Sequence, residues 1–338
     1  MKASVLDAPG RIAFRTVADP EPRAGEVLLR VTHAGICGTD VKIFDGDIPV
    51  RYPLVMGHEV VGEVVGGRGA GGLDPGMRVL IDPIRYCGRC FYCERHQTYL
   101  CLAGALLGRD VDGGFAELVA VPVKNCHLLP DTIDAAHAPL IQVLTTVHHA
   151  QTLAGLGPGD NVVVLGLGVA GQLHVQLARA LGARRVIGVS RNAAKRRLAG
   201  TLGADAVVDH GEEARRAVLD ASGELGADVV IEAVGKVAVL AEAIDLVRAA
   251  GRIVPYGIYA EREARLPFYQ LYFKELSIVG TRAADARDYP LSIALVQDCR
   301  VRLAPLISDV MALADLDKAL ASMAGGGVRR LKIIVEHR

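Results

Sequence analysis

The run "VVVLGLGVAGQLHVQLARALG", residues 162–182, constrains the fold more than any other part of this 338-residue chain. It places Gly166, Gly168 and Gly171 in a G-x-G-x-x-G pattern between a β-branched strand and a stretch where Val169, Leu173, Leu177 and Leu181 recur every four residues. In that setting the first glycine permits a tight turn, the second lets backbone amides approach a pyrophosphate, and the third lets the helix pack closely on the sheet. The helix start, with Val169 and Ala170, then offers unpaired N–H groups and a favourable dipole to the anion. From Asn161 onward "VVVLGLG", "RVIGVS", "AVVD", "DVVIEAVG", "RIVPYGI" and "LSIVGT" read as buried strands alternating with helical stretches. Such alternation predicts an α/β unit, a parallel sheet covered by helices on both faces.

About twenty residues beyond the glycines, where a carboxylate would grip the ribose of NAD, the chain has Ser190 followed by Arg191. A hydroxyl beside a guanidinium accepts a 2′-phosphate through charge-assisted hydrogen bonds, and Lys195 and Arg196 follow one turn later. NADP is therefore the expected cofactor, with NAD as the alternative.

The first part of the chain follows a different pattern. Short β-branched runs ("EVLLRV", "VVGEVV", "RVLIDP", "AELVAVP") are separated by Gly, Pro and Asp clusters, including the loop "GGRGAGG" at 66–72, which is an all-β signature. Into it is set "CGRCFYCERHQTYLC", a C-x2-C-x2-C-x7-C array of Cys87, Cys90, Cys93 and Cys101. Four thiolates at this spacing suit a closed, structural zinc site. An iron–sulfur cluster, or His96 replacing Cys101 as fourth ligand, are the alternatives. Cys37 in "GICGTD" and His58–Glu59 in "GHE" offer a thiolate, an imidazole and a carboxylate, the donor types of an open, catalytic zinc site. Cys126 and Cys299 read as ordinary buried thiols, and "AEREARL" (260–266) as a solvated loop. After Leu303, "LKIIVEH" reads as a last strand rejoining the first domain.

Lys plus Arg equals Asp plus Glu at 38 each, and no basic run carries interleaved aromatics, which argues against nucleic acid as partner. The N-terminus lacks a signal-peptide layout, and no apolar run approaches the roughly 18 residues of a membrane helix, so a cytoplasmic protein without a membrane partner is expected. Clustered cysteines in a reducing compartment fit metal ligation better than disulfides.

Taken in order, "GEVLLRV", "GICGTD", "YPLVMGHE", the four-cysteine lobe, "GGFAEL", "GADVVIEAVG", "AAGRIVPYG" and "KELSIVGTR" span nearly the whole chain. Together they resemble the zinc-dependent medium-chain dehydrogenases of the alcohol, polyol, threonine and glucose dehydrogenase type. The resemblance implies a GroES-like all-β catalytic domain over 1–145 with a structural-zinc lobe at about 86–102. It further implies a Rossmann domain over 146–290, a segment 291–338 returning to the catalytic domain, and an active site between the two domains. By the same resemblance Cys37 and His58 are ligands of a catalytic zinc, with Glu59 as a further or exchanging ligand. Thr39 contacts the substrate oxygen and begins a proton relay, and Asp40 orients the His58 ring. Gln142, in "IQVLTTVHHA", takes the place of a ligating glutamate of polyol dehydrogenases, and Thr146 lies beside the nicotinamide. His148 and His149 are read as helix-face or subunit-packing residues. Lys42 stands where many members have the histidine that ends the relay, and Arg68 where a glycine is usual, the latter read as loop variation.

The implied activity is reversible hydride transfer between a secondary alcohol and NADP, with two zinc ions per chain, a small alcohol or carbonyl substrate, and assembly as a homodimer or homotetramer. Gln142 favours a polyol or sugar-like substrate. The competing expectations are an NAD-dependent threonine-type or simple alcohol dehydrogenase and, from another class, a non-catalytic NADPH-binding zinc protein. The joint presence of Cys37, Thr39 and His58 speaks against the latter.

Overall fold

The computed structural model describes residues 1–67, 72–261, 263–324 and 331–337. Arg68, with most of the 66–72 loop, and Arg262 of the charge-rich patch lie outside the described residues. The chain forms two compact units: Met1–Val143 with Asp285–Gln297 and Leu303–Arg338, and Leu144–Ala284 with Asp298–Arg302.

The first unit is built on short strands. β1 (Lys2–Ala8), β2 (Arg11–Thr16), β3 (Glu26–Gly35), β4 (Leu54–Val55) and β5 (Glu59–Gly67) are followed by β6 (Arg78–Ile81), β7 (Ile84–Arg85), β8 (Ala105–Leu106), β9 (Leu118–Pro122) and β10 (Cys126–Leu128). Helix α1 (Gly38–Asp45) follows β3 directly and ends at Gly46 in the left-handed region at φ 86°, a conformation that costs glycine least. Side chains of Leu6, Leu29, Ile36, Ile43, Met56 and Phe115 are fully buried in this unit's core. Each contributes roughly 1.5–3 kcal/mol through removal from water.

The second unit is the parallel α/β layer read from the sequence. Helix α2 (Pro139–Leu153) starts in the first unit and ends here. Then come β11 (Asn161–Leu165), α3 (Val169–Ala180), β12 (Arg185–Val189), α4 (Ala193–Thr201), β13 (Ala206–Val208), α5 (Glu212–Ser222), β14 (Ala227–Glu232), α6 (Val237–Leu246), β15 (Val247–Pro255), α7 (Phe268–Phe273) and β16 (Ser277–Ile278). The sheet order is β13-β12-β11-β14-β15-β16, all neighbours parallel, the doubly wound Rossmann arrangement. Along β11, Val162 and Val164 enter one core cluster while Val163 and Leu165 enter another. With both faces covered, alternate side chains on each are apolar, which is why the strand reads as a continuous apolar run. Helix α3 differs from the expected single stripe: Gly171 through Ala178 are all buried, including Gln172, His174 and Gln176, whereas Val169 and Leu181 are only half-buried. Buried glutamines fit there because their amides are used, Gln176 bonding Arg302 O and N, and Gln172 bonding Lys195 O.

Helix α8 (Asp288–Gln297), β17 (Ile307–Ala312), α9 (Leu316–Ala324) and β18 (Lys332–Glu336) complete the chain. β18 pairs antiparallel with β3 and parallel with β17, so the C-terminal strand does rejoin the first unit's sheet, of order β10-β6-β5-β3-β18-β17. The reading of the two remaining thiols needs correction. Cys299, on the turn after α8, is exposed, and Cys126 is half-buried, its thiol pushed up to about 12 by burial. Positions 298–302 belong to the second unit, and Cys299 stands on the turn that enters them. Among the described residues no helix is long and apolar enough to cross a membrane.

Burial lowers the pKa of His127 from 6.5 to about 4, and that of His174 from 6.5 to about 3. His127 stacks on Tyr289 at 4.5 Å, and His174 meets Gln151 at 3.1 Å. Because these folded-state values lie below the unfolded one, their stabilising contribution is present above pH 6.5 and is lost as pH falls towards 4 and 3. The melting temperature followed by circular dichroism is therefore expected to fall between about pH 6.5 and pH 4.5, and His127→Phe, which keeps the stacking, to flatten that slope. A pH-independent melting temperature across this window would contradict the assignment.

Candidate functional site

The lobe after β7 brings four sulfurs together. Cys87, Cys90, Cys93 and Cys101 have ligand atoms all within 4.8 Å of one another, with Cys87 to Cys93 at 4.0 Å and Cys90 to Cys101 at 3.9 Å. His96, the alternative fourth ligand, is not in this group. Its backbone turns left-handed at φ 57° and its carbonyl accepts from Arg287 at 3.1 Å. Backbone amides point at the sulfurs: the Cys93 N–H is the main reason the Cys90 thiol is lowered to about 6. Asp285, just ahead of α8, accepts from Thr98 N at 3.3 Å and so ties the lobe to the returning segment.

A second group forms where β3, α1, β5 and β18 meet. Cys37, His58 and Glu59 each present a donor within 4.8 Å of the others. Asp40, fully buried, holds two of them in relation. One oxygen accepts the Cys37 N–H at 2.8 Å and caps α1, while the other faces His58 Nδ1 at 3.5 Å. Burial opposes a charged His58, but Asp40 and then Cys37 outweigh it and hold its pKa well above the ordinary value.

Sequence reasoning missed Lys332. This lysine, 3% exposed at the start of β18, donates to both Glu59 oxygens at 2.7 and 2.8 Å and to Ile36 O at 2.9 Å. Burial works against its charge, yet Glu59, and beyond it Cys37 and Asp40, raise its pKa above the usual lysine value. Gly35 completes the arrangement: a Cβ there would lie 2.1 Å from Glu59 Oε2, so only glycine leaves room for the carboxylate. The available signal was a lysine opening an otherwise apolar strand. With Cys37 ionised and His58 in the neutral form that ligates a metal, the cluster holds three negative groups against Lys332, a surplus that one divalent cation balances.

Thr39 and Lys42 are half-buried on α1. Gln142 is buried in the first turn of α2, its amide against the Tyr289 hydroxyl. Tyr289 in turn faces Asp82, which burial pushes to about 7. Thr146, further along α2, shares a 2.6 Å hydrogen bond between its hydroxyl and that of Tyr256. His148 and His149 are buried within the same helix.

In the second unit Gly166 turns at φ 96°, and a Cβ on Gly171 would lie 1.9 Å from Gly166 O, so both glycines are sterically required. Gly168 stands at the N-cap of α3, with Val169 and Ala170 opening the helix. Ser190, the residue after β12, is buried, its hydroxyl accepting from Asn192 N at 3.2 Å, and Arg191 is exposed beside it. Arg196 bonds the Ser190 carbonyl and pairs with Asp209 at 3.2 Å, so its guanidinium is already engaged.

Comparison with known proteins gives the family of the chain. Residues 23–131 match the alcohol dehydrogenase GroES-like domain and residues 168–298 the zinc-binding dehydrogenase domain. A sorbitol dehydrogenase of Halalkalibacterium halodurans is 32% identical over 96% of this chain and 97% of its own. A 2-dehydro-3-deoxy-L-galactonate 5-dehydrogenase of Pseudoalteromonas atlantica is 33% identical over 93% of this chain and 92% of its own. The crystal structure of a zinc-binding dehydrogenase from Sinorhizobium meliloti 1021 bound to NADP has a TM-score of 0.92 and 34% identity, covering 99% of this chain and 98% of that one. The chain belongs to the zinc-dependent medium-chain dehydrogenase family and is an oxidoreductase of the zinc-type alcohol dehydrogenase class.

Removing Lys332 while leaving Glu59 strands a buried carboxylate. Lys332→Met is expected to cost about 3–5 kcal/mol in guanidinium chloride unfolding, and the additional Glu59→Gln change to restore part of the loss. An unshifted unfolding midpoint for Lys332→Met would refute the pairing.

Proposed function

We propose that this protein transfers a hydride reversibly between a secondary alcohol of polyol or sugar type and NADP. In this reading Cys37 and His58 hold a catalytic zinc, with Glu59 and Gln142 as further or exchanging ligands, and the four cysteines of the lobe hold a second zinc that serves folding. The observation that carries it is the convergence of the Cys37, His58 and Glu59 donors within 4.8 Å in a buried, negatively charged setting. A thiolate, an imidazole and a carboxylate are ligands that suit zinc. When bound, zinc supplies Lewis acidity and NADP the hydride acceptor.

The chain's own groups have distinct tasks in this scheme. Asp40 faces His58 Nδ1 and leaves Nε2 to the metal. Lys332 neutralises Glu59, which weakens that carboxylate as a ligand and favours exchange over permanent ligation. The neutral amide of Gln142 adds no further negative charge to the cluster. The Thr39 hydroxyl accepts the substrate proton and passes it outward along α1, on which half-buried Lys42 lies one turn further.

Support for a polyhydroxylated substrate is the neutral Gln142 together with the sugar-related substrates in the names of the two curated relatives. Support for NADP is Arg191, exposed just beyond β12 with no carboxylate at position 190, and the NADP bound in the Sinorhizobium structure. Assembly as a homodimer or homotetramer belongs to the same reading, favoured by the exposed Tyr269, Tyr272 and Phe273 of α7, the helix that precedes edge strand β16 in the chain.

Cys37→Ser is expected to remain folded, to lose one of two zinc equivalents by elemental analysis, and to lose turnover by about a hundredfold or more. Cys90→Ser, by contrast, is expected to aggregate or melt at lower temperature, because a structural zinc contributes to folding. Full activity in Cys37→Ser would refute the catalytic-site reading. Arg191→Ala is expected to lower the ratio of NADP to NAD efficiency about tenfold, measured by dinucleotide reduction with a responsive sugar or polyol. An unchanged ratio would remove Arg191 from the cofactor site.

A further inference from the structure

Glu232 is the last residue of β14, fully buried, in register with Leu165 of β11 and Pro255 of β15. Five donors converge on it. Its carboxylate accepts Val234 N at 2.8 Å, Gly235 N at 2.9 Å and the Tyr259 hydroxyl at 2.6 Å. Its carbonyl accepts Tyr256 N and Gly257 N, both at 2.9 Å. The first two amides belong to the turn after β14, and the other three donors to the segment after β15.

These two segments interlock with the glycine turn after β11. A Cβ on Gly166 would lie 2.5 Å from Val234 Cγ2, one on Gly257 would lie 2.1 Å from Gly235 N, and one on Gly235 would lie 2.6 Å from Ile258 O. Three loops thus meet without spare volume at the carboxyl ends of the central strands, the edge at which doubly wound sheets bind their ligands. Val234 and Ile258 stay 42% and 65% exposed on these loops, apolar side chains held towards solvent where a flat ring can lie against them. Tyr259 is half-buried, and burial followed by the Glu232 carboxylate raises its pKa, so its hydroxyl stays protonated and donates.

We propose that Glu232 and Tyr259 form a positioning pair that sets the shape of the 233–235 and 256–259 segments against the nicotinamide half of the dinucleotide. The inference rests on the reading of the glycine turn as a dinucleotide cradle. The adenosine half, placed by the α3 N-terminus and the Ser190 region, does not depend on the pair. Tyr259→Phe removes only the hydroxyl, and the carboxylate oxygen it served keeps a 3.1 Å contact with Gly235 N, so the chain still folds. The loops lose one charge-assisted tie.

The experiment titrates full-length, zinc-loaded wild-type and Tyr259→Phe proteins with NADPH and NADH, following nicotinamide fluorescence. Both proteins are also titrated calorimetrically with the nicotinamide-free fragments adenosine 2′,5′-bisphosphate and ADP. The expected result is a loss of about tenfold in affinity for the tighter dinucleotide with altered nicotinamide emission, and unchanged affinity for its fragment. Equal losses for dinucleotide and fragment, or no loss for either, overturn the pair's role while leaving the cofactor reading standing. A wild-type protein that binds neither dinucleotide overturns both. Tyr259→Trp, which keeps a donor but changes its reach, is expected to fall between the two proteins in dinucleotide affinity, and a value below Tyr259→Phe counts against the hydrogen bond as the cause.

Discussion

Strand β3 lies between β5 and β18, and at Gly35 it carries no side chain. Across that gap Lys332 of β18 reaches Glu59 of β5 with hydrogen bonds of 2.7 and 2.8 Å, all within the fully packed interior of the first unit. Burying a carboxylate or an ammonium alone would cost several kcal/mol, so each makes the other tolerable. The pair also secures the C-terminal strand to the N-terminal half of the sheet, and it holds a carboxylate against Cys37 and His58. The rest of the site follows from this constraint. Asp40 satisfies the start of α1 with one oxygen and aligns His58 with the other, and the negative surplus that remains suits a divalent ion.

The second unit is governed by steric exclusion more than by charge. Gly166, Gly171, Gly235 and Gly257 sit where any Cβ would strike backbone or a neighbouring side chain closer than 3.0 Å. Glycine there lets three loops approach one another and lets Glu232 collect amides from two of them. An edge built in this way has little freedom to reshape, because each loop is fixed by the close approach of the others.

Much of this architecture was legible in the chain. The glycine spacing between a strand and a helix, the six strand runs of the α/β unit and the cysteine array are local signals, because turn geometry and ligand spacing are set by residues close in sequence. Burial was harder to read. The stripe on α3 underestimated a helix packed nearly all round, and Cys299 was read as buried although its turn faces solvent. Arg196, read from the sequence as a cofactor-binding residue, bonds Ser190 O and Asp209 in the fold. Outcomes of this kind depend on how neighbouring elements pack, which spacing along one helix or turn does not set.

The sequence by itself determined the kind of chemistry and the kind of fold: a thiol, an imidazole and carboxylates in one all-β domain, and glycines that force a phosphate-sized turn in an α/β one. Only the tertiary structure decided that Lys332, 273 residues from Glu59, neutralises it, and that Tyr259 closes on Glu232 from 27 residues away. The physical reason is that spacing along a strand or turn follows from covalent geometry. The partner of a buried charge or hydroxyl is set by sheet order and loop packing, which single-sequence periodicity does not encode.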